Sequence, residues 1–168
     1  MLLIHNTSQV IQLTPEPQRG AKLGTLNILP HGAVLLDGER ILAVGSPAEL
    51  LLAHPEADLL DAKGMAILPG LVDPHTHLVW AGDRVGEFEM RLQGKSYMEI
   101  MAAGGGIAAT LQATRAASFE ELLAQTRERA RIAFAHGTTT LEAKTGYGLD
   151  IPTELRQLEV ILQLNEEG

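Results

Sequence analysis

The stretch Leu68-Pro-Gly-Leu-Val-Asp-Pro-His-Thr-His77 constrains this chain more than any other. Pro69 and Pro74 exclude a helix, because proline lacks the N–H that an interior helical residue donates. Leu71 and Val72 favour extended chain. The predicted element is a strand over Leu71–His75 that runs out into two histidines. On a helix, the spacing of His75 and His77 would turn them to different faces. On an extended chain they share a face, about 6.6 Å apart. Two imidazoles converging from one strand end can share a divalent ion. They can equally be two exposed histidines, and a bare His-x-His leaves both readings open.

The text on either side of this strand differs in rhythm. Residues 1–67 are short apolar runs, at Leu2–His5, Val10–Leu13, Ala33–Leu36, Ile41–Val44, Leu59–Asp61 and Met65–Leu68. Turn residues such as Pro15, Gly20, Pro30 and Gly64 separate them. Asp37-Gly38 between two such runs predicts a hairpin. One short helix is predicted from Pro47 to about His54, with Ser46 and Glu49 as a capping box. This part reads as a small β domain. From residue 68 onward strands and helices alternate. A long connection follows the first strand, with a short helix over 96–103 broken by Gly104-Gly105-Gly106. Those glycines suit an anion-binding nest or a flexible loop, but the Lys-Ser/Thr of a nucleotide-binding loop does not follow them.

A helix over Phe119–Ala135 is predicted from the Ser118/Glu121 capping box and the face Leu122, Leu123, Thr126, Ala130 and Ala133, ending at Gly137. His136 in its last turn is read as structural. The next strand, Thr138–Lys144, alternates. Thr139, Leu141 and Ala143 are expected to meet the helices, and Thr138, Thr140, Glu142 and Lys144 to face the other way, with Glu142 and Lys144 neutralising each other. A last helix over Pro152–Glu166 is expected to start on Asp150 and to carry one apolar stripe, Ile151, Leu155, Leu158, Ile161 and Leu162, and two βα units alone are expected to leave helix faces uncovered.

The motifs also carry a resemblance. Pro69-Gly-Leu-Val-Asp-Pro-His-Thr-His77 resembles the first metal-binding motif of the amidohydrolase superfamily, metal-dependent (β/α)8-barrel hydrolases. Arg84, the run Leu92–Ile107 and the run Glu142–Asp150 resemble the imidazolonepropionase family of histidine degradation. The resemblance implies an α/β fold in which residues 1–67 are the N-terminal part of a composite β-sandwich. Residues 68–168 are then the first two βα units of an incomplete (β/α)8 TIM barrel, which takes about 250 residues in all.

It further implies His75 and His77 as ligands of one zinc or iron ion, and Arg84 and Tyr147 as substrate residues. A guanidinium fork matches the propionate carboxylate of such a substrate. Read without the resemblance, Arg84 is a solvated loop arginine and Tyr147 a turn tyrosine. The remaining ligands and the catalytic acid/base residues are expected beyond Gly168. The implied reaction is hydrolysis of the cyclic amide C–N bond of 4-imidazolone-5-propanoate to N-formimidoyl-L-glutamate. The alternatives are another cyclic amidase or deaminase of the superfamily, an inactive fragment that folds poorly, and an assembly piece that needs a partner to supply the missing strands.

Composition narrows the partners. The formal charge of −8 argues against nucleic acid or an anionic membrane surface. There is no cysteine, so a metal would rest on imidazole and carboxylate. No run reaches the ~20 apolar residues of a membrane span, and Met1–Asn6 lacks the basic start of a signal peptide. The expectation is a cytoplasmic protein with a small-molecule substrate, and a homodimer is one expected assembly.

Overall fold

Alternating apolar residues build the first part of the chain. In a computed structural model describing residues 1–168, Met1–Pro69 and Gly70–Gly168 are two separate compact units. The first contains β1 (Leu2–His5), β2 (Gln9–Gln12), β3 (Asn27–Pro30), β4 (Ala33–Asp37), β5 (Arg40–Gly45), α1 (Pro47–Ala53), β6 (Asp58–Asp61) and β7 (Ala66–Ile67). One sheet has the order β5-β4-β1-β6 and a second β3-β2-β7. β1 is antiparallel to β4 and parallel to β6. Leu3, Ala33 and Leu35 are at most 1% exposed and form a core with Ala57, Ala43 and Leu50. Burying one such leucine contributes about 1.5–3 kcal/mol.

Two local expectations for this unit change. The apolar runs predict no strand at 27–30, yet β3 lies there and ends on Pro30, opposite Gln9. β3 is an edge strand, where a missing N–H costs no ladder bond. Ser46 does stand at the N-cap of α1, but its side chain makes no capping bond. Pro47 at the first helical position removes one unpaired N–H, and its fixed φ starts the helix. The Asp37-Gly38 hairpin is present between β4 and β5, with Gly38 at φ 55°.

The second unit contains β8 (Leu71–Thr76), α2 (Val85–Leu92), α3 (Tyr97–Ala102), α4 (Ile107–Ala116), α5 (Phe119–Ala135), β9 (Thr138–Ala143) and α6 (Ile151–Glu167). β8 and β9 are parallel. Val79, Ala81, Ala117, Leu122 and Val160 form the core, joined by Phe119 and Ile161. The expected long connection is largely helical. α2 and α4 are not among the elements expected from sequence; α3 starts on a complete Ser96/Glu99 capping box. The α5 capping box of Ser118 and Glu121 forms as expected, and Gly137 follows at φ 95°. No helix is long and apolar enough to cross a membrane.

The apolar stripe of α6 is mostly uncovered: Ile151, Leu155, Leu158 and Leu162 are 43–77% exposed. Thr153, Gln157 and Val160 are buried instead. The inner face meets backbone as well as side chains, so it needs polar groups. With its amide oriented to satisfy both ends, Gln157 donates to the Val79 carbonyl at 3.3 Å and accepts from the Gly148 N–H at 2.9 Å.

Candidate functional site

The histidine motif lies at the C-terminal end of β8, and a local turn shapes it. The Asp73 carboxylate accepts the His75 N–H at 3.0 Å and the Thr76 hydroxyl at 2.7 Å. The Thr76 hydroxyl, then the His75 N–H, hold the Asp73 carboxyl below the usual aspartate value. Beside it the pairing with β9 shifts by one residue between Asp73 and Thr76. Pro74 and His75 are therefore in a bulge, a device that re-aims side chains. A simple two-residue period, assumed from sequence, does not run unbroken through the motif. The two imidazoles nonetheless come together, with ring centroids 5.5 Å apart and planes at 74°. No third histidine, aspartate or glutamate joins them in a cluster.

His77 is held from behind. The segment after it, Leu78–Ala81, has no regular structure, yet Leu78, Val79 and Ala81 are buried. Arg129 of α5 donates to the Leu78 and Trp80 carbonyls and stacks over the Trp80 ring at 3.6 Å. The Ala81 N–H donates to the buried Thr114 hydroxyl at 3.0 Å. The Nδ1 atom of His77 is buried and has no hydrogen-bond partner. Such an orphaned ring nitrogen in a native site calls for a ligand or a function.

The second strand brings Tyr147 to the same place. The Lys144 N–H donates to the Thr76 carbonyl at 2.8 Å, which ties the end of β9 to the end of β8. The Tyr147 ring then lies 5.3 Å from the His77 ring. Gly146 is at φ 137°, and a Cβ there would sit 2.8 Å from Cε1 of His77. Only glycine lets this backbone lie against the imidazole. Leu149 has φ 53°, an uncommon conformation for a branched residue. Sequence reasoning missed the residue that organises this loop, Glu154. One of its carboxylate oxygens accepts the Gly148 and Leu149 N–H groups, each at 2.8 Å. Burial pushes the Glu154 carboxyl up, but those bonds, with the Thr145 hydroxyl and Gly146 N–H, hold it below the usual glutamate value overall. Arg115 of α4 adds a bond to the Gly148 carbonyl at 2.7 Å and a pair with Asp150 at 2.9 Å.

Arg84 stands at the N-cap of α2, and its fork is already engaged. Nε and Nη2 donate to the two Glu87 oxygens at 2.8 and 2.5 Å. Glu87 is buried and also accepts the Gly106 N–H at 2.6 Å. Sequence reading did not single out Glu87; it looks like any acidic residue in a first helical turn. The Glu87 hydrogen bonds raise the Arg84 pKa, with smaller contributions from the Tyr97 and Tyr147 phenols. An open pocket of about 240 Å³ is lined by Arg84, Glu87, Phe88 and Arg91. The expected pairing of Glu142 and Lys144 is present. His136 is exposed at the end of α5, with Nδ1 2.8 Å from the Ile132 carbonyl.

Known proteins resemble the chain at two levels. The family described as "Imidazolonepropionase-like composite domain, bacteria" matches residues 32–57. The imidazolonepropionase of Brevibacillus brevis is 49% identical over 97% of this chain and 40% of its own length. That of Herpetosiphon aurantiacus is 50% identical over 96% of this chain and 38% of its own. The chain thus spans about two fifths of the length of the curated relatives it matches. By structure, guanine deaminase of E. coli matches 99% of this chain and 35% of its own, with a TM-score of 0.65 at 16% identity. Atrazine chlorohydrolase TrzN of Arthrobacter aurescens TC1, complexed with zinc, matches 98% and 34%, with a TM-score of 0.55 at 18% identity. These two likenesses establish a shared mixed α/β fold. The motifs around His75, Arg84 and Tyr147 and near-half identity along the chain lead to one assignment: it belongs to the imidazolonepropionase family, as an N-terminal portion.

Proposed function

We propose that this chain carries the first part of an imidazolonepropionase active site, with one zinc or iron ion on His75 and His77. The observation that carries the reading is the pair of imidazoles 5.5 Å apart at a strand end. Their nitrogen donors suit a borderline divalent ion. The orphaned Nδ1 of His77 leaves that ring free of any competing bond through this atom. A catalytic ion takes at least three protein ligands, so the others, with the acid/base residues, would come from outside these 168 residues. When bound, such an ion lowers the pKa of a water toward neutrality and polarises a carbonyl. The zinc complex of TrzN supports a divalent ion on this fold, though not its identity here.

The other roles belong to the chain itself. Arg84 receives the propionate carboxylate of 4-imidazolone-5-propanoate. Since Glu87 occupies Nε and Nη2, Nη1 and the second N–H of Nη2 are the donors left for that carboxylate. Tyr147, against His77, offers a phenol that can both donate to and accept from the substrate ring. The net change adds water across the ring C–N bond and gives N-formimidoyl-L-glutamate. In this reading Met1–Pro69 is half of a composite β-sandwich, and β8, β9 and their helices are the first two βα units of a TIM barrel. The parallel β8–β9 pair and the uncovered face of α6 support that architecture. The substrate is a small molecule, and a cytoplasmic homodimer is the assembly we expect.

The test is a Zn²⁺ titration of the chain by calorimetry, beside His75→Ala and His77→Ala. Saturable binding that both substitutions abolish supports the site. Binding that survives both places the ion elsewhere and defeats the reading. Turnover of 4-imidazolone-5-propanoate against other cyclic amides, in the protein extended to its relatives' length, then tests the substrate.

A further inference from the structure

We propose that Glu154 is a positioning residue for the His75–His77 site, acting through the Thr145–Leu149 loop that it holds. Glu154 touches neither histidine. Its carboxylate reaches back from the first turn of α6 and accepts two consecutive backbone N–H groups, of Gly148 and Leu149, at 2.8 Å each. Two residues before them, Gly146 backs onto the His77 ring so closely that a Cβ would sit 3.1 Å from its Nδ1. Tyr147, between these two contacts, lies 5.3 Å from the same ring. The loop is thus a rigid plate with Glu154 on one side and His77 on the other.

The loop needs such a clamp. Leu149 at φ 53° and Gly146 at φ 137° are both in the left-handed half of backbone space. A branched residue there costs of order 1–3 kcal/mol and persists only where its surroundings demand it. Charge-assisted hydrogen bonds to a carboxylate are about twice as strong as neutral ones. Gly148 is buried, and a Cβ on it would meet Thr153 at 2.7 Å, so the loop cannot settle onto α6 with another residue there. Partners of metal-ligating histidines set ring orientation, and their loss commonly weakens metal binding about 10- to 100-fold. Here the partner is a backbone surface rather than a single acceptor, and Glu154 fixes where that surface lies.

The inference rests on His75 and His77 being metal ligands, and the test separates the two claims. The 168-residue chain is studied by NMR without metal, as wild type, Glu154→Ala and Glu154→Gln. The readouts are amide exchange at Gly148 and Leu149, the Overhauser contact between the His77 ring and the Gly146 α-protons, and Zn²⁺ affinity. In Glu154→Ala, exchange at Leu149 rises about tenfold or more, exchange at Gly148 rises less because Gln157 still accepts its N–H, the His77–Gly146 contact weakens, and Zn²⁺ affinity falls about tenfold. The α5 amides from Leu122 to Ala130 keep their protection. Glu154→Gln retains an acceptor oxygen and restores part of each change.

Unchanged exchange and contacts in Glu154→Ala overturn the proposal. Faster exchange with an unmoved His77 contact and unmoved Zn²⁺ affinity also overturns it, since Glu154 is then structural only. If α5 loses protection in Glu154→Ala, Glu154→Gln decides, and wild-type behaviour in it overturns the proposal. If the wild type binds no Zn²⁺ saturably, the His77–Gly146 contact alone decides the role of Glu154.

Discussion

The loops that follow β8 and β9 invite comparison. Each ends at a helix whose first turn sends a carboxylate back onto it, Glu87 from α2 and Glu154 from α6. Glu87 binds a side-chain cation, Arg84, and one N–H of the glycine loop. Glu154 binds two backbone N–H groups of its own loop, and the side chains it positions are beyond its reach. The first arrangement presents a charge that retains free donors for an anion. The second presents a shape, a fixed backbone surface against His77. A carboxylate in the first helical turn can thus serve either a ligand-binding charge or a ligand-orienting surface, according to what it accepts from.

Several measurements would break or sharpen this contrast. The largest effect is expected from glycine replacement in the second loop. Gly146→Ala forces φ 137° on alanine and drives its Cβ into the His77 ring; about 2–3 kcal/mol of stability should be lost. Gly106→Ala in the first loop is also at positive φ, but its Cβ meets the flexible end of Met101. It should cost only about 1 kcal/mol. Denaturant unfolding of both variants checks the order, and equal costs would mean that the second loop is no more rigid than the first.

Next, Glu87→Ala should speed exchange of the Gly106 amide about tenfold, since that N–H loses its acceptor. Gly148 and Leu149 should not respond. A coupled response would show one network instead of two.

The pH dependence should be alike in both loops. The Arg84 hydrogen bonds hold the Glu87 carboxyl low despite its burial, and the Gly106 N–H adds to this. Glu154 is also held below the usual glutamate value. A depressed carboxyl contributes stability that is present above its unfolded value, about 4.3, and lost as pH falls through the folded value. Amide protection at Gly106, Gly148 and Leu149 should therefore be flat from about pH 7 to about 5 and fall below about 4.3. Glu154→Gln should flatten the fall at Gly148 and Leu149 alone. A drop already between about pH 7 and 6 would point to histidine and not to these carboxylates.

The smallest effect is expected from Arg115→Ala. It removes the bond to the Gly148 carbonyl and the pair with Asp150. Both partners are partly exposed, so less than about 1 kcal/mol should be lost. A larger loss would make Arg115, and not Glu154, the main clamp of the second loop.

Much of this was legible along the chain. The Ser118/Glu121 box and the five-residue face of α5 are local signals, and the structure forms the box and buries Leu122 and Thr126 of that face. The two histidines and Tyr147 lie in motifs that can be read directly, and the structure brings their rings within 5.5 Å. Other features had no local signature. The α6 stripe could be read, but hydrophobicity alone does not say which face of the helix finds a partner. Gln157 and Thr153 are inside because backbone groups there need polar contacts.

Residue order alone was enough to determine most of the strands, where α1, α3, α5 and α6 begin, and that two imidazoles leave one strand end together. These follow from φ restrictions, side-chain period and capping, all of which act over a few residues. Folding in space decided which carboxylate holds which loop, how Arg84 spends its fork, and which face of α6 is covered. Those outcomes join residues such as Glu87 and Gly106, or Val79 and Gln157, that are far apart in the chain. A hydrogen bond between them has a partner only once the intervening helices have packed.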